Sequence, residues 1–116
     1  MQITRIFTGD DGESHFEDID VPLEDFGSIG RISKLEDATG VVFREVDADY
    51  DFDFHNAPRR QYVINLDAAV EIEVGDGSTR RIEAGGILLA EDTEGRGHCS
   101  RAVDHRPRRC IFVTLD

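Results

Sequence analysis

The sequence lacks any apolar run able to cross a bilayer. Its longest, Gly85-Gly86-Ile87-Leu88-Leu89-Ala90, falls far short of the ~20 residues needed. Met1–Arg5 shows no basic region leading into an apolar one and no small-residue cleavage site, so no secretory signal is expected and the cytoplasm is the expected location. The only cysteines, Cys99 and Cys110, match neither a disulfide framework nor a zinc spacing, and read as thiols with a packing role. Positive charge is scarce. Thirteen Lys and Arg stand against 25 Asp and Glu, a net charge of −12 that repels phosphate backbones and anionic lipid, so neither nucleic acid nor a membrane is an expected partner. Apolar residues at helical spacing over ten or more positions are missing, as are repeats, low-complexity tracts and linkers. Helix should therefore be minor, and the 116 residues should form one domain.

Short strands are what the chain does contain. Val41–Val46, Gln61–Leu66, Val70–Val74, Ile87–Ala90 and Cys110–Leu115 are rich in β-branched and aromatic residues and separated by turn residues, the spacing of an all-β sandwich or barrel. Val70, Ile72 and Val74 alternate with Glu71 and Glu73, which turns the apolar set to a core and the acids to water. The turn Gly75-Asp76-Gly77 leads to a return strand Thr79–Glu83, and a continuous meander is expected from about Gln61 to Ala90. Ile3–Phe7 and His15–Val21 read as strands around Gly9–Gly12, and Leu23–Ile32 as a helical turn or irregular loop. The expected core is Phe43, Val63, Val70, Ile72, Val74, Ile82, Leu88, Phe112 and Val113.

Of the four histidines, His55 and His98 stand at strand ends beside turns. Taken with Gln61, the hairpin at Gly75–Gly77 and the turn Ala84-Gly85-Gly86, they follow the order of the two motifs of the cupin superfamily, which residues 54–103 resemble. The resemblance implies an all-β cupin-type double-stranded β-helix, or jelly-roll, barrel covering residues 1–116, and a homodimer. In the cupin pattern His55 fills the first position of His-x-His and His98 the histidine of the second motif. Ala57 replaces the second histidine, Gln61 the glutamate, Ala68 a glycine and Ala102 the asparagine, and Glu91–Gly97 lacks the usual proline. Half of the usual metal shell is therefore absent, and Gln61 can coordinate only through a neutral carbonyl oxygen.

The expected ligand pocket gathers His55, Gln61, His98, Asp53 and Ser100. His55, His98 and Gln61 are candidate ligands for a divalent metal, and Asp53, two residues before His55, could add negative charge from the same face. Three functions are compatible with this: a receptor for a small polar organic ligand, a metal-dependent oxygenase or isomerase acting on a small acid or sugar-like substrate, and an interaction module that uses the acidic first half. That half, residues 1–58, carries fifteen acidic and four basic side chains. Asp47, Asp49, Asp51 and Asp53 read as a solvated strand edge, because the glycine and glutamate of a calcium loop are missing. The doublets Arg59-Arg60, Arg80-Arg81 and Arg108-Arg109 read as surface partners for those acids, with an anion clamp as the alternative.

Overall fold

The computed structural model describes all residues, Met1–Asp116, and its regular secondary structure is almost entirely strand. In chain order these are β1 (Gln2–Thr8), β2 (Ser14–Asp20), β3 (Glu24–Asp25), β4 (Arg31–Ile32), β5 (Gly40–Val46), β6 (Asp51–His55), β7 (Gln61–Asn65), β8 (Val70–Glu73), β9 (Thr79–Ile82), β10 (Ile87–Glu91), β11 (His98–Ala102) and β12 (Arg108–Thr114). A single 3₁₀ turn, Gly27–Ile29, joins the two-residue strands β3 and β4.

Two sheets make the sandwich. One runs β2-β1-β10-β7-β12-β5 and the other β6-β11-β8-β9. From β5 onward the chain keeps changing sheets, with only the hairpin β8–β9 staying in place, and this is the jelly-roll path. The expected meander from Gln61 to Ala90 is thus broken: β7 and β10 pair with each other in the first sheet, while β8 and β9 pair in the second. Period-two alternation shows which residues face inward but not which sheet receives them, so the crossings at Leu66–Ala69 and Glu83–Gly86 left no mark in the pattern. β1 adds a parallel pairing to β10, a long-range contact that no local signal announces.

Side chains from both sheets meet in a core of Ile6, Ala57, Val70, Ile72, Val74, Ile82, Leu88 and Ala90, against which Phe16 and Val63 pack. A smaller cluster of Ile3, Leu89 and Leu115 lies on the opposite face of the first sheet, with Tyr62 and Ile87 beside it. Five expected core residues, Val70, Ile72, Val74, Ile82 and Leu88, are buried. Phe43 is not: it is 79% exposed. On β12 the inward residues are even-numbered, since Arg108, Cys110 and Thr114 are buried, and β5 pairs Arg44 with Cys110. Register parity therefore sends Arg44 inward and Phe43 out, and Val113 shares the outward face of β12 with Ile111. Arg44 is accommodated because its guanidinium lies over the rings of Tyr50 and Phe112, at 5.2 and 5.1 Å.

This parity is testable by urea unfolding. Ile72→Ala should lower stability by about 2–5 kcal/mol, the usual cost of emptying a packed aliphatic site. In the dissociated chain at high dilution, Phe43→Ala should change it by no more than about 0.5 kcal/mol, as for an ordinary surface position. Equal losses at the two positions would contradict the register.

Candidate functional site

The two histidines are cross-strand neighbours in the second sheet, not residues facing each other across the barrel. His55 closes β6, His98 opens β11, and they form a register pair with ring centroids 4.6 Å apart. Between this pair and the next, Ser100 with Phe52, β6 holds one more residue than β11. That bulge breaks the alternation, so Phe52 and His55, three positions apart, both line the cavity, and their rings stack at 4.1 Å. Gly97 makes the close approach possible. It has φ 80°, and a Cβ there would collide with the His55 carbonyl oxygen.

The same bulge overturns the placement of Asp53. Its side chain turns away to Cys99, Sγ to Oδ1 3.7 Å, and the residue is exposed rather than cavity-lining. It reaches the site only through its backbone, whose carbonyl accepts a hydrogen bond from His55 Nδ1 at 2.7 Å. The buried carboxylate beside the histidines is instead Asp92, with no exposure to water. Its Oδ2 accepts from His98 Nδ1 at 2.5 Å and from the Ser14 hydroxyl at 2.7 Å. Each imidazole thus uses Nδ1 on the protein and keeps Nε2 for the cavity. Burial, helped by the neighbouring His98, lowers the His55 pKa below its ordinary 6.5 and favours the neutral ring. Gln61 is buried on the adjoining strand, and its Oε1 has no hydrogen-bond partner. His55, His98, Gln61 and Ser100 all line one cavity of about 350 Å³, walled by Val63, Val70, Ile72, Ile82 and Leu88.

The other polar end of this cavity is assembled from residues the sequence reading did not select. Arg108 is buried and donates to Asn65 Oδ1 at 2.7 Å, while Asn65 Nδ2 donates to the Ile82 carbonyl at 2.9 Å. Burial lowers the Arg108 pKa from its usual value, with the charge of Arg44 acting the same way. Tyr50 bonds Ser100 at 2.7 Å and lies beneath both guanidiniums. Alternation on β12 was the available signal for Arg108. The doublet pattern concealed it: Arg109 does form a surface ion pair, though with Asp67 rather than with an acid of residues 1–58. For Asp92 the signal was its even-numbered place after Leu88 and Ala90.

As a metal centre the donor set is incomplete. It supplies two imidazole nitrogens and one amide oxygen, and no carboxylate side chain lines the cavity. No group of three or more His, Cys, Asp or Glu side chains is arranged to hold a metal ion. With two arginines in the same cavity, a dication would find no protein anion to compensate it, so these residues do not fit a tightly held resident metal.

No family model matches the sequence, and neither does any curated protein. Solved structures match by shape. The cupin domain of Cnp3 from Schizosaccharomyces pombe is 14% identical, with a TM-score of 0.52 over 99% of this chain and 88% of that one. The conserved protein SPY1581 of Streptococcus pyogenes, of unknown function, is 18% identical with the same TM-score over 72% and 69%. Protein NMB1881 of Neisseria meningitidis is 15% identical, again at 0.52, over 69% and 78%. The likeness shows the fold, a cupin-type jelly roll, as the histidine and glycine pattern had implied.

Histidine titration by NMR on chelator-treated protein should separate the environments. The midpoint of His55 should lie below 6.5, and that of exposed His15, raised by its hydrogen bond to Asp11, above it. Because folded His55 binds protons less readily than unfolded, its contribution to stability is complete above about pH 6.5 and is lost as pH falls toward its folded midpoint. A His55 midpoint above 6.5 would contradict the buried, neutral ring.

Proposed function

We propose that this cupin-fold barrel is a receptor for a small polar organic ligand, held between the two sheets. The observation that carries the reading is the set of free hydrogen-bonding atoms at one end of an apolar-walled cavity, above all the buried, unpartnered Gln61 Oε1. A buried acceptor left unsatisfied costs about 1–3 kcal/mol, and a ligand that donates to it recovers that loss on binding. The apolar walls contribute affinity and the polar atoms set orientation, the usual division of labour in small-molecule sites. A divalent ion on His55, His98 and Gln61 would be weakly held unless the ligand supplied its anionic partner.

Thermal unfolding against a metabolite panel tests this. A true ligand at a hundredfold excess over its Kd should add about 2.7 kcal/mol of stability. Replacing His55 by Ala and His98 by Asn, whose amide keeps a donor toward Asp92, should abolish the shift while the circular dichroism stays that of strand. A double variant with undiminished binding would overturn the site. Elemental analysis of protein purified without chelator or metal-affinity tag should find well under one metal per chain. One equivalent of iron, manganese or zinc would replace the receptor reading with a metal-dependent oxygenase or isomerase.

On assembly, we propose a homodimer. Strand β5 is a sheet edge and exposes Val41, Val42 and Phe43, the kind of surface that a second copy would cover. Light scattering at micromolar concentration should give about twice the 13.0 kDa chain mass, and a 13.0 kDa particle would refute it.

A further inference from the structure

The arginines of this chain are sorted by their surroundings. Seven of the twelve form ion pairs with carboxylates: Arg5, Arg60, Arg80, Arg81, Arg96, Arg101 and Arg109. Arg31, Arg59 and Arg106 have no such pair but are exposed, where water solvates them. The remaining two, Arg44 and Arg108, are sheltered from water, lack a carboxylate partner, and line the same cavity. Arg108 is 4% exposed with only a neutral amide on one of its nitrogens, and the Arg44 Nε is buried with no partner. Both guanidiniums lie over the Tyr50 ring, at 5.2 and 5.7 Å from its centroid. In a chain with 25 acidic residues, the absence of an acid from this cavity marks a place for an anion that is not part of the protein.

From this arrangement we infer that the ligand is a small carboxylic acid, its carboxylate bound by Arg44 and Arg108 and a hydroxyl or amino group at its other end donating to Gln61 Oε1 or to a histidine Nε2. The inference rests on the receptor reading and adds the chemical class. Planar guanidinium forks match a carboxylate through paired hydrogen bonds, and such charge-assisted bonds are roughly twice as strong as neutral ones. The histidine and glutamine end offers acceptors, which is why the far end of the ligand must donate. Gln61 and Asn65 share a face of β7 four residues apart, about 13 Å at the usual strand rise, and the side chains and hydrogen bonds at each end take up much of that span, which leaves a few carbons between the ligand's polar ends. Val63, Val70 and Ile72 then cover that short apolar segment.

Calorimetry and thermal unfolding of the intact chain decide the matter, with sodium 3-hydroxybutyrate, sodium butyrate, 3-hydroxybutyramide and inorganic phosphate as probes at constant ionic strength. 3-Hydroxybutyrate should bind and raise Tm, butyrate should bind more weakly, and the amide and phosphate should give no shift. Arg44→Gln, at the half-buried rim, should weaken 3-hydroxybutyrate about tenfold to a hundredfold, the value of one charge-assisted bond. Arg108→Gln should do at least as much. If that buried substitution prevents folding, the ¹⁵N resonance of Arg44 Nε in the unaltered protein should still shift saturably with 3-hydroxybutyrate and stay fixed with the amide. Binding of the amide as tightly as the acid, preference for phosphate, or indifference to Arg44→Gln would overturn the carboxylate assignment. If neutral polyols from the metabolite panel then bind in a manner that depends on His55 and His98, the receptor reading survives alone. If nothing binds, both fall.

Discussion

The fully buried carboxylate of Asp92 is the constraint on which the site depends. Three separated segments converge on this residue: the Ser14 hydroxyl at the start of β2, the His98 imidazole at the start of β11, and the Ala57 backbone N–H, which donates to the Asp92 carbonyl at 3.1 Å. A buried carboxyl is tolerable only while its hydrogen bonds are intact, and both side-chain bonds here fall on Oδ2, with Oδ1 buried and unpartnered. Its geometry is therefore tightly specified, and with it the orientation of His98. Since His98 is the register partner of His55, the position of one ring limits that of the other. The chain from Ser14 to His55 is in this sense a single device, built from residues 78 positions apart in sequence at its widest link.

Where alternation is undisturbed, the structure was readable from the residues. Val70, Ile72 and Val74 went inward and Glu71 and Glu73 outward because nothing on β8 interrupts period two. The cupin resemblance brings Gln61 and His98 to one pocket, and alternation turns Ser100 inward with His98. Asp53 failed for a local reason. The bulge on β6 inserts a residue between the two inward positions, and a bulge of this kind has no signature in a strand of alternating acids and aromatics. Phe43 failed for an energetic one. Hydrophobicity favours burying a phenylalanine over an arginine, but the register of β5 against β12 is shared by seven residue pairs, and their sum outweighs one side chain. The sheet crossings at either end of the β8–β9 hairpin were hidden because they depend on contacts between strands far apart in the chain.

The acidic surface and the basic cavity look contradictory only if charge is considered as one net figure. Surface carboxylates act through water and salt, where their influence fades over about 8 Å at physiological ionic strength. Several of them are further neutralised by arginines, as Glu91 is by Arg5 and Arg60 and Glu73 by Arg101. Inside the cavity the dielectric is low, no carboxylate intervenes, and the charges of Arg44 and Arg108 act at short range with little screening. The outer charge is spread out and screened, while the inner charge is concentrated on two guanidiniums between the sheets. On the carboxylate reading, an anion at the surface would meet repulsion, and one that entered the cavity would exchange its water for two guanidiniums that pair with no carboxylate of the protein. Size and charge would then be read together, because a ligand must fit between the sheets to reach Arg44 and Arg108, the two arginines in the cavity that form no ion pair.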